Sequence, residues 1–205
     1  MMQAALINTA SLSAALLRCC DALEAGAAEL NALDARLGDG DLGTTLSKCA
    51  ANLRAVLTHP ASSLQALLRD GAQACAKASG SSFGTLLAVA FLTASRGVAA
   101  RDGLDRAALV QILDDIAHDL MKRGGATPGD KTMVDSLLAI TQAMGQQASE
   151  SPEVLKNDAR VASEQALKQF RDLPNRMGRA RMFAERSVGM DDPGMVAVHR
   201  LVLSI

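Results

Sequence analysis

Apolar residues return every three or four positions along most of this chain, while period-two alternation of β-branched residues is scarce. That regularity commits the chain to helices, because a repeat near 3.6 lines up one face of a helix, whereas a half-buried strand needs a repeat of two. From Ser11 onward, Leu12, Leu16, Cys20, Leu23, Ala27 and Leu30 form one such stripe, with Arg18, Asp21, Glu24 and Glu29 on the other faces. Thr9 or Ser11 is placed to cap its start, and the Gly38-Asp39-Gly40 turn breaks the pattern beyond its end. The same reasoning predicts helices over 43–58, 62–78, 84–99, 104–122, 131–147, 152–171 and 193–204, parted by short segments containing glycine, proline or serine. Small residues such as Ala72, Ala74, Ala76 and Ala78 let neighbouring helices approach closely. The expected fold is all-α, a compact bundle with 1–205 as one domain, since 205 residues suffice for one core and give no reason for two.

Charge and composition remove several function classes. Lysine plus arginine, 21, nearly cancel aspartate plus glutamate, 22, so no global field recruits nucleic acid or an anionic membrane. Tryptophan and tyrosine are absent and only four phenylalanines occur, which takes away the stacking platforms of single-strand binders. Cys19, Cys20, Cys49 and Cys75 lack the spacing of a zinc site and are read as ordinary thiols. With no signal-peptide pattern and no uninterrupted apolar window of about 18 residues, the expectation is a reduced, cytoplasmic protein that neither spans a membrane nor binds nucleic acid.

Four segments carry chemistry. In Leu33-Asp34-Ala35-Arg36-Leu37-Gly38-Asp39-Gly40-Asp41-Leu42-Gly43-Thr44-Thr45, three carboxylates fall within eight positions with glycines between them. Oxygen ligands of this kind suit a hard cation such as magnesium; the plain alternative is an acidic surface turn, and an EF-hand is excluded because no glutamate closes the loop. Ala78-Ser79-Gly80-Ser81-Ser82-Phe83-Gly84-Thr85 leads small residues into a helix start, where backbone NH groups can hold phosphate oxygens, or it is an ordinary helix connection. Arg123-Gly124-Gly125-Ala126-Thr127-Pro128-Gly129-Asp130-Lys131-Thr132-Met133 runs a glycine-rich loop into a helix opened by Asp130, an N-cap candidate, with Lys131 read as solvated. Gly178-Arg179-Ala180-Arg181, with Asp191-Asp192-Pro193-Gly194 downstream, sets arginines beside glycine turns, a pattern suited to a polyanion but also common on exposed faces. His59, His118 and His199 sit in no such motif and are read as surface residues.

Taken in order from Leu33 to Gly194, the four segments resemble the dihydroxyacetone kinase nucleotide-binding family, the L subunit of bacterial systems and the C-terminal domain of single-chain kinases. The resemblance implies an eight-helix antiparallel barrel-like bundle with ADP or ATP at one end. It places Asp34, Asp39 and Asp41 on metal-ligand positions for Mg2+, two ions in the expected arrangement. By the same correspondence Gly43, Thr44, Thr45, Ala78 and Ser79 lie beside the phosphates, Gly124 and Met133 border the base, and Arg179, Asp192, Pro193 and Gly194 close over the site, Arg179 as the catalytic candidate. Leu42 and Thr45 stand where the family often has histidine and asparagine, and Ala76 and Lys77 replace a glycine pair; Lys77 either offers charge to the phosphates or points into solvent.

The implied activity is that of a phosphotransferase subunit of a dihydroxyacetone-type kinase, which passes a phosphoryl group to a short keto-sugar held by a separate sugar-binding kinase subunit. Two phosphate sources fit: exchangeable ATP, or bound ADP recharged by a phosphohistidine carrier subunit of the sugar phosphotransferase system. The rival is a regulatory subunit that binds adenine nucleotide and docks on a transcription regulator without turnover. Oligomeric state is left open, a homodimer included.

Overall fold

The computed structural model describes residues 7–78 and 82–205, so Ser79 lies outside the described residues. Within them the chain forms α1 (Thr9–Ala25), α2 (Ala27–Leu37), α3 (Leu42–Leu57), α4 (Leu64–Lys77), α5 (Ser82–Gly97), α6 (Arg106–Gly124), α7 (Met133–Gln146), α8 (Pro152–Phe170) and α9 (Pro193–Ser204), plus two 3-10 turns at Arg179–Phe183 and Glu185–Ser187. The only extended pairing among the described residues is an isolated antiparallel bridge between Ile7 and Leu104. None of the described helices is long and apolar enough to cross a membrane.

The expected all-α barrel-like bundle is what forms. Seven predicted helices fall within two or three residues of the observed ones, but the stripe beginning at Ser11 is divided, giving nine α-helices among the described residues instead of eight. The break is Gly26, a weak helix former. Arg200 of α9 lies across it: a Cβ there would meet the guanidinium Nε at 2.4 Å. That guanidinium also pairs with Glu29. The cap of α1 differs too. Asn8, not Thr9 or Ser11, is the N-cap, with its Oδ1 accepting from Ser11 N and Ser11 Oγ accepting from Asn8 N, both at 2.9 Å.

From α3 to α9 each helix packs on its successor, and α9 also packs on α1, which itself lies against α3, so the ring closes. One apolar cluster joins α1, α2 and α3 through Leu23, Leu30, Leu46 and Leu53. A second joins α6, α7, α8 and α9 through Leu120, Ile140, Met144, Leu155 and Val198, and Phe83 touches both. Each fully buried leucine contributes about 1.5–3 kcal/mol, which explains why the leucine stripes dictate the ring. All four cysteines are free, as expected of ordinary thiols; Cys20, Cys49 and Cys75 are buried and Cys19 is half-buried. Burial pushes the Cys20 thiol up to about 11. His199 corrects its surface reading, being half-buried with Nδ1 2.8 Å from Ser163 Oγ, while His59 and His118 are exposed.

Candidate functional site

Up-and-down packing around the ring brings the starts of α3, α5, α7 and α9 to the same end of the barrel, where they border a cleft of about 570 Å3. Four helix N-termini present partial positive charge and backbone NH groups there, a setting that favours an anion. Leu37, Leu42, Leu120 and Val134 supply an apolar wall, and Phe83 and Met177 add to it.

The aspartate loop enters this cleft from the end of α2. Asp34 Oδ2 accepts from the backbone NH groups of Asp41 and Leu42 at 3.0 and 3.3 Å. It thereby caps α3 from outside, and Asp41, the N-cap by position, makes no side-chain cap bond. An aspartate at an N-cap ordinarily spends its carboxylate on the helix. Asp41 instead keeps its carboxylate for the cleft, and one oxygen each from Asp34, Asp39 and Asp41 lies within 4.8 Å of the others. Three carboxylates so close repel one another unless a cation lies between them. This oxygen-only donor set fits magnesium. Gly43 makes the approach possible, because a Cβ there would meet the carbonyl oxygen of Ala27 at 1.9 Å and push α3 away from α2.

Across the opening, Gly178 with φ of 61° turns the chain into the 3-10 turn that carries Arg179, and Arg179 forms an ion pair with Asp39. The wall is completed by Gly124 at the end of α6, Met133 at the start of α7, and Asp192, Pro193 and Gly194 at the start of α9. Thus nine of the expected positions (Asp34, Asp39, Asp41, Gly124, Met133, Arg179, Asp192, Pro193 and Gly194) converge on one cleft. Gly43, Thr44, Thr45 and Ala78 do not line it. Thr44 is engaged with Asn31, its NH donating to Oδ1 and its Oγ1 accepting from Nδ2, both at 3.0 Å. Thr45 and Ala78 are buried, Gly84 lying between them so closely that a Cβ there would be 3.6–3.7 Å from each. Lys77 is exposed and also outside the cleft wall, whereas Leu42 is a buried part of it.

Arg123 and Thr132, which belong to the third segment but were given no role there, also line the cleft. Arg123 had a usable signal in its place beside the glycine pair. The reading of Asp130 needs correction, because α7 begins later than expected: Thr132 is its N-cap, in a capping box with Asp135. Asp130 Oδ2 accepts instead from Thr127 N at 2.7 Å and Thr127 Oγ1 at 3.0 Å, closing the preceding turn. Lys131 is also not solvated. It is fully buried, and its Nζ donates to the carbonyls of Arg171, Leu173 and Ser187 at 2.9, 2.7 and 2.8 Å. Its φ of 62° is a left-handed conformation that costs a lysine about 1–2 kcal/mol.

Asp192 caps α9 through Met195 N at 2.9 Å and accepts from Asn175 Nδ2 at 2.8 Å. Desolvation pushes its carboxyl up to about 6, against the hydrogen bonds and the nearby Lys131 charge. The folded state therefore holds this proton at pH values where the unfolded chain has released it. The stability so gained is complete below about pH 4 and is lost as pH rises through about 6, a total of up to about 3 kcal/mol. Asparagine can still cap and accept, so Asp192→Asn is expected to flatten this component. Urea unfolding between pH 4 and 7 should show wild-type stability falling relative to the variant; parallel curves would exclude the shifted carboxyl.

The arrangement has close relatives. Residues 36–205 match the DAK2 domain. The chain is 36% identical over 186 residues to the L-erythrulose 1-kinase of Mycolicibacterium smegmatis, covering 87% of this chain and 32% of that enzyme. It is 30% identical over 190 residues to DhaL, the ADP-binding subunit of the PEP-dependent dihydroxyacetone kinase of Escherichia coli, covering 89% of each. The dihydroxyacetone kinase of C. freundii, solved in a native form and with AMP-PNP and Mg2+, shares the fold, with TM-scores of 0.76 and 0.75 at 22% identity, over all of this chain and 36% and 35% of those chains. This chain therefore spans about a third of the larger kinases and most of the stand-alone subunit. The match over 36–205 and the kinship with a whole DhaL subunit establish that the chain belongs to the DAK2 domain family of dihydroxyacetone-kinase-type proteins.

Proposed function

We propose that the chain is the nucleotide-binding phosphotransferase part of a dihydroxyacetone-type kinase, which holds ADP or ATP at the end of the barrel and works on a short keto-sugar presented by a sugar-binding subunit. The observation that carries the reading is the convergence of Asp34, Asp39 and Asp41 at a cleft bordered by four helix N-termini and faced by Arg179. Kinship with an ADP-binding subunit and with erythrulose kinases supports the substrate class.

In this reading Asp34, Asp39 and Asp41 would hold magnesium, two ions in the expected arrangement, with Asp34 also capping the start of α3, and the metal would supply charge neutralisation for the phosphates. The apolar wall around Leu37, Leu120 and Met133 receives the base, with Gly124 beside it. Arg179 leaves Asp39 and stabilises charge on the γ-phosphoryl group as the bond to the acceptor oxygen forms and the bond to the β-phosphate oxygen breaks. The acceptor's proton goes to a base on the partner. Among the described residues lining the cleft, the titratable side chains are two arginines and four aspartates, of which three would be committed to metal and the fourth, Asp192, is engaged by Met195 N and Asn175 Nδ2. The phosphate source is exchangeable ATP or bound ADP recharged by a phosphohistidine carrier.

Nucleotide binding is expected to require divalent metal, because bare carboxylates would repel phosphate oxygens. Calorimetry with ADP and ATP, in magnesium and in excess chelator, checks this. Equal affinity in the two conditions would remove the metal site from the reading.

A further inference from the structure

Between α8 and α9 the chain runs as a strap over residues 171–192, carrying Arg179 and ending at Asp192, both on the cleft wall. Its regular structure is limited to the two short 3-10 turns, and besides the Gly189 N–Arg171 carbonyl bond and the Arg171–Asp191 ion pair, the side chain of Lys131 gathers it from within. Three carbonyls, from Arg171, Leu173 and Ser187, surround the Nζ at 2.7–2.9 Å. An ammonium has three protons and no acceptor, so this cage uses every donor of the charged form. Burial pushes the lysine below its ordinary range, while Asp192, Asp191 and Asp172 favour its charge and Arg171 opposes it.

The cage is wired to the cleft by Asn175, which is buried to 1% exposure. Its Nδ2 donates to the Lys131 carbonyl at 2.9 Å and to Asp192 Oδ2 at 2.8 Å, and its NH donates to Ser187 Oγ at 2.8 Å. Its Oδ1 is buried with no hydrogen-bond partner, so the amide is retained for its donors. The backbone gives an independent argument. At φ of 62° glycine would be free of strain, yet a lysine stands there, and its side chain must supply what the backbone forfeits.

We propose that Lys131 is a positioning residue for the nucleotide site, an internal cation whose carbonyl cage fixes the 171–192 strap and, through Asn175, sets the Asp192 carboxylate and Arg179 against the cleft. The inference rests on the nucleotide reading above.

Lys131→Gly relaxes the backbone and leaves a channel of the shape of the missing side chain, which n-butylammonium matches atom for atom from Cβ to Nζ. Calorimetry of the full chain with magnesium and ADP is expected to show affinity lowered roughly 10- to 100-fold. Hydrogen exchange followed by mass spectrometry should become faster in peptides from 171–192. n-Butylammonium should restore both, and tetramethylammonium at equal ionic strength should restore neither. A variant that binds like wild type, or is restored equally by both amines, overturns the proposal. Wild-type chain that ignores magnesium and ADP overturns the nucleotide reading together with it, so the two failures are distinct. Asn175→Ala provides a second route that leaves the cage intact: lowered affinity with an unchanged far-ultraviolet spectrum supports the wiring to Asp192, and unchanged affinity refutes it.

Discussion

Asp39→Ala and Asp41→Ala are each expected to abolish phosphotransfer, by roughly 10³-fold or more, while the helical spectrum and thermal midpoint stay near those of the wild-type chain. The separation of function from stability follows from what each carboxylate touches. Asp41 makes no side-chain cap bond, so alanine there forfeits no helix contact. Asp39 gives up only an exposed ion pair with Arg179, and exposed pairs contribute little. Asp34 differs, because its Oδ2 holds the NH groups of Asp41 and Leu42. Asp34→Ala should therefore lose activity and also about 1–3 kcal/mol of stability. Circular dichroism, thermal unfolding and assay of sugar phosphate formation with a cognate sugar-binding subunit decide the matter. An Asp41→Ala chain that unfolds, or that keeps its turnover, would make the aspartate loop a structural turn.

The parts of this design legible in the sequence are those set by local repetition or by closely spaced residues. Leucine stripes fixed where the helices run, because burial of a face is a local periodic property, and the Asp34–Asp41 cluster was visible because its members are neighbours in the chain. The break at Gly26 was hidden, since it depends on Arg200, which lies far along the chain and fills the space a side chain would need. Lys131 was hidden for a stronger reason. Its partners are backbone carbonyls 40, 42 and 56 positions away, and a carbonyl belongs to every residue, so no residue type announces the cage. Asp130 was misplaced as a cap because Thr132 with Asp135 offers the same chemistry two residues later, and the Lys131 conformation delays the helix to Met133. Thr44 was set beside the phosphates by the resemblance alone, and its engagement by Asn31, thirteen positions earlier, left no mark in the sequence.

The second large effect concerns the partner. The purified chain is expected to bind nucleotide yet to yield no phosphorylated dihydroxyacetone or erythrulose until a sugar-binding subunit is added, with at most slow ATP hydrolysis alone. In-line transfer needs the acceptor hydroxyl held beside the γ-phosphoryl group and its proton accepted. The described cleft residues offer charge for phosphates and metal, but no histidine to orient or deprotonate a sugar. Mass spectrometry of the product, with the chain alone, with the sugar-binding subunit and ATP, and with that subunit plus a phosphohistidine donor, separates the cases. Rapid turnover by the chain alone would end the shared-site reading, and activity only with the donor would select recharging of bound ADP. Arg179→Ala sharpens the result within the active assembly. If Arg179 acts on charge that develops during transfer, its loss should lower turnover by about 10²-fold or more while ground-state nucleotide affinity changes far less. Equal losses in affinity and turnover would assign Arg179 to anchoring the nucleotide, because an interaction made equally in ground and transition states changes binding without accelerating the step.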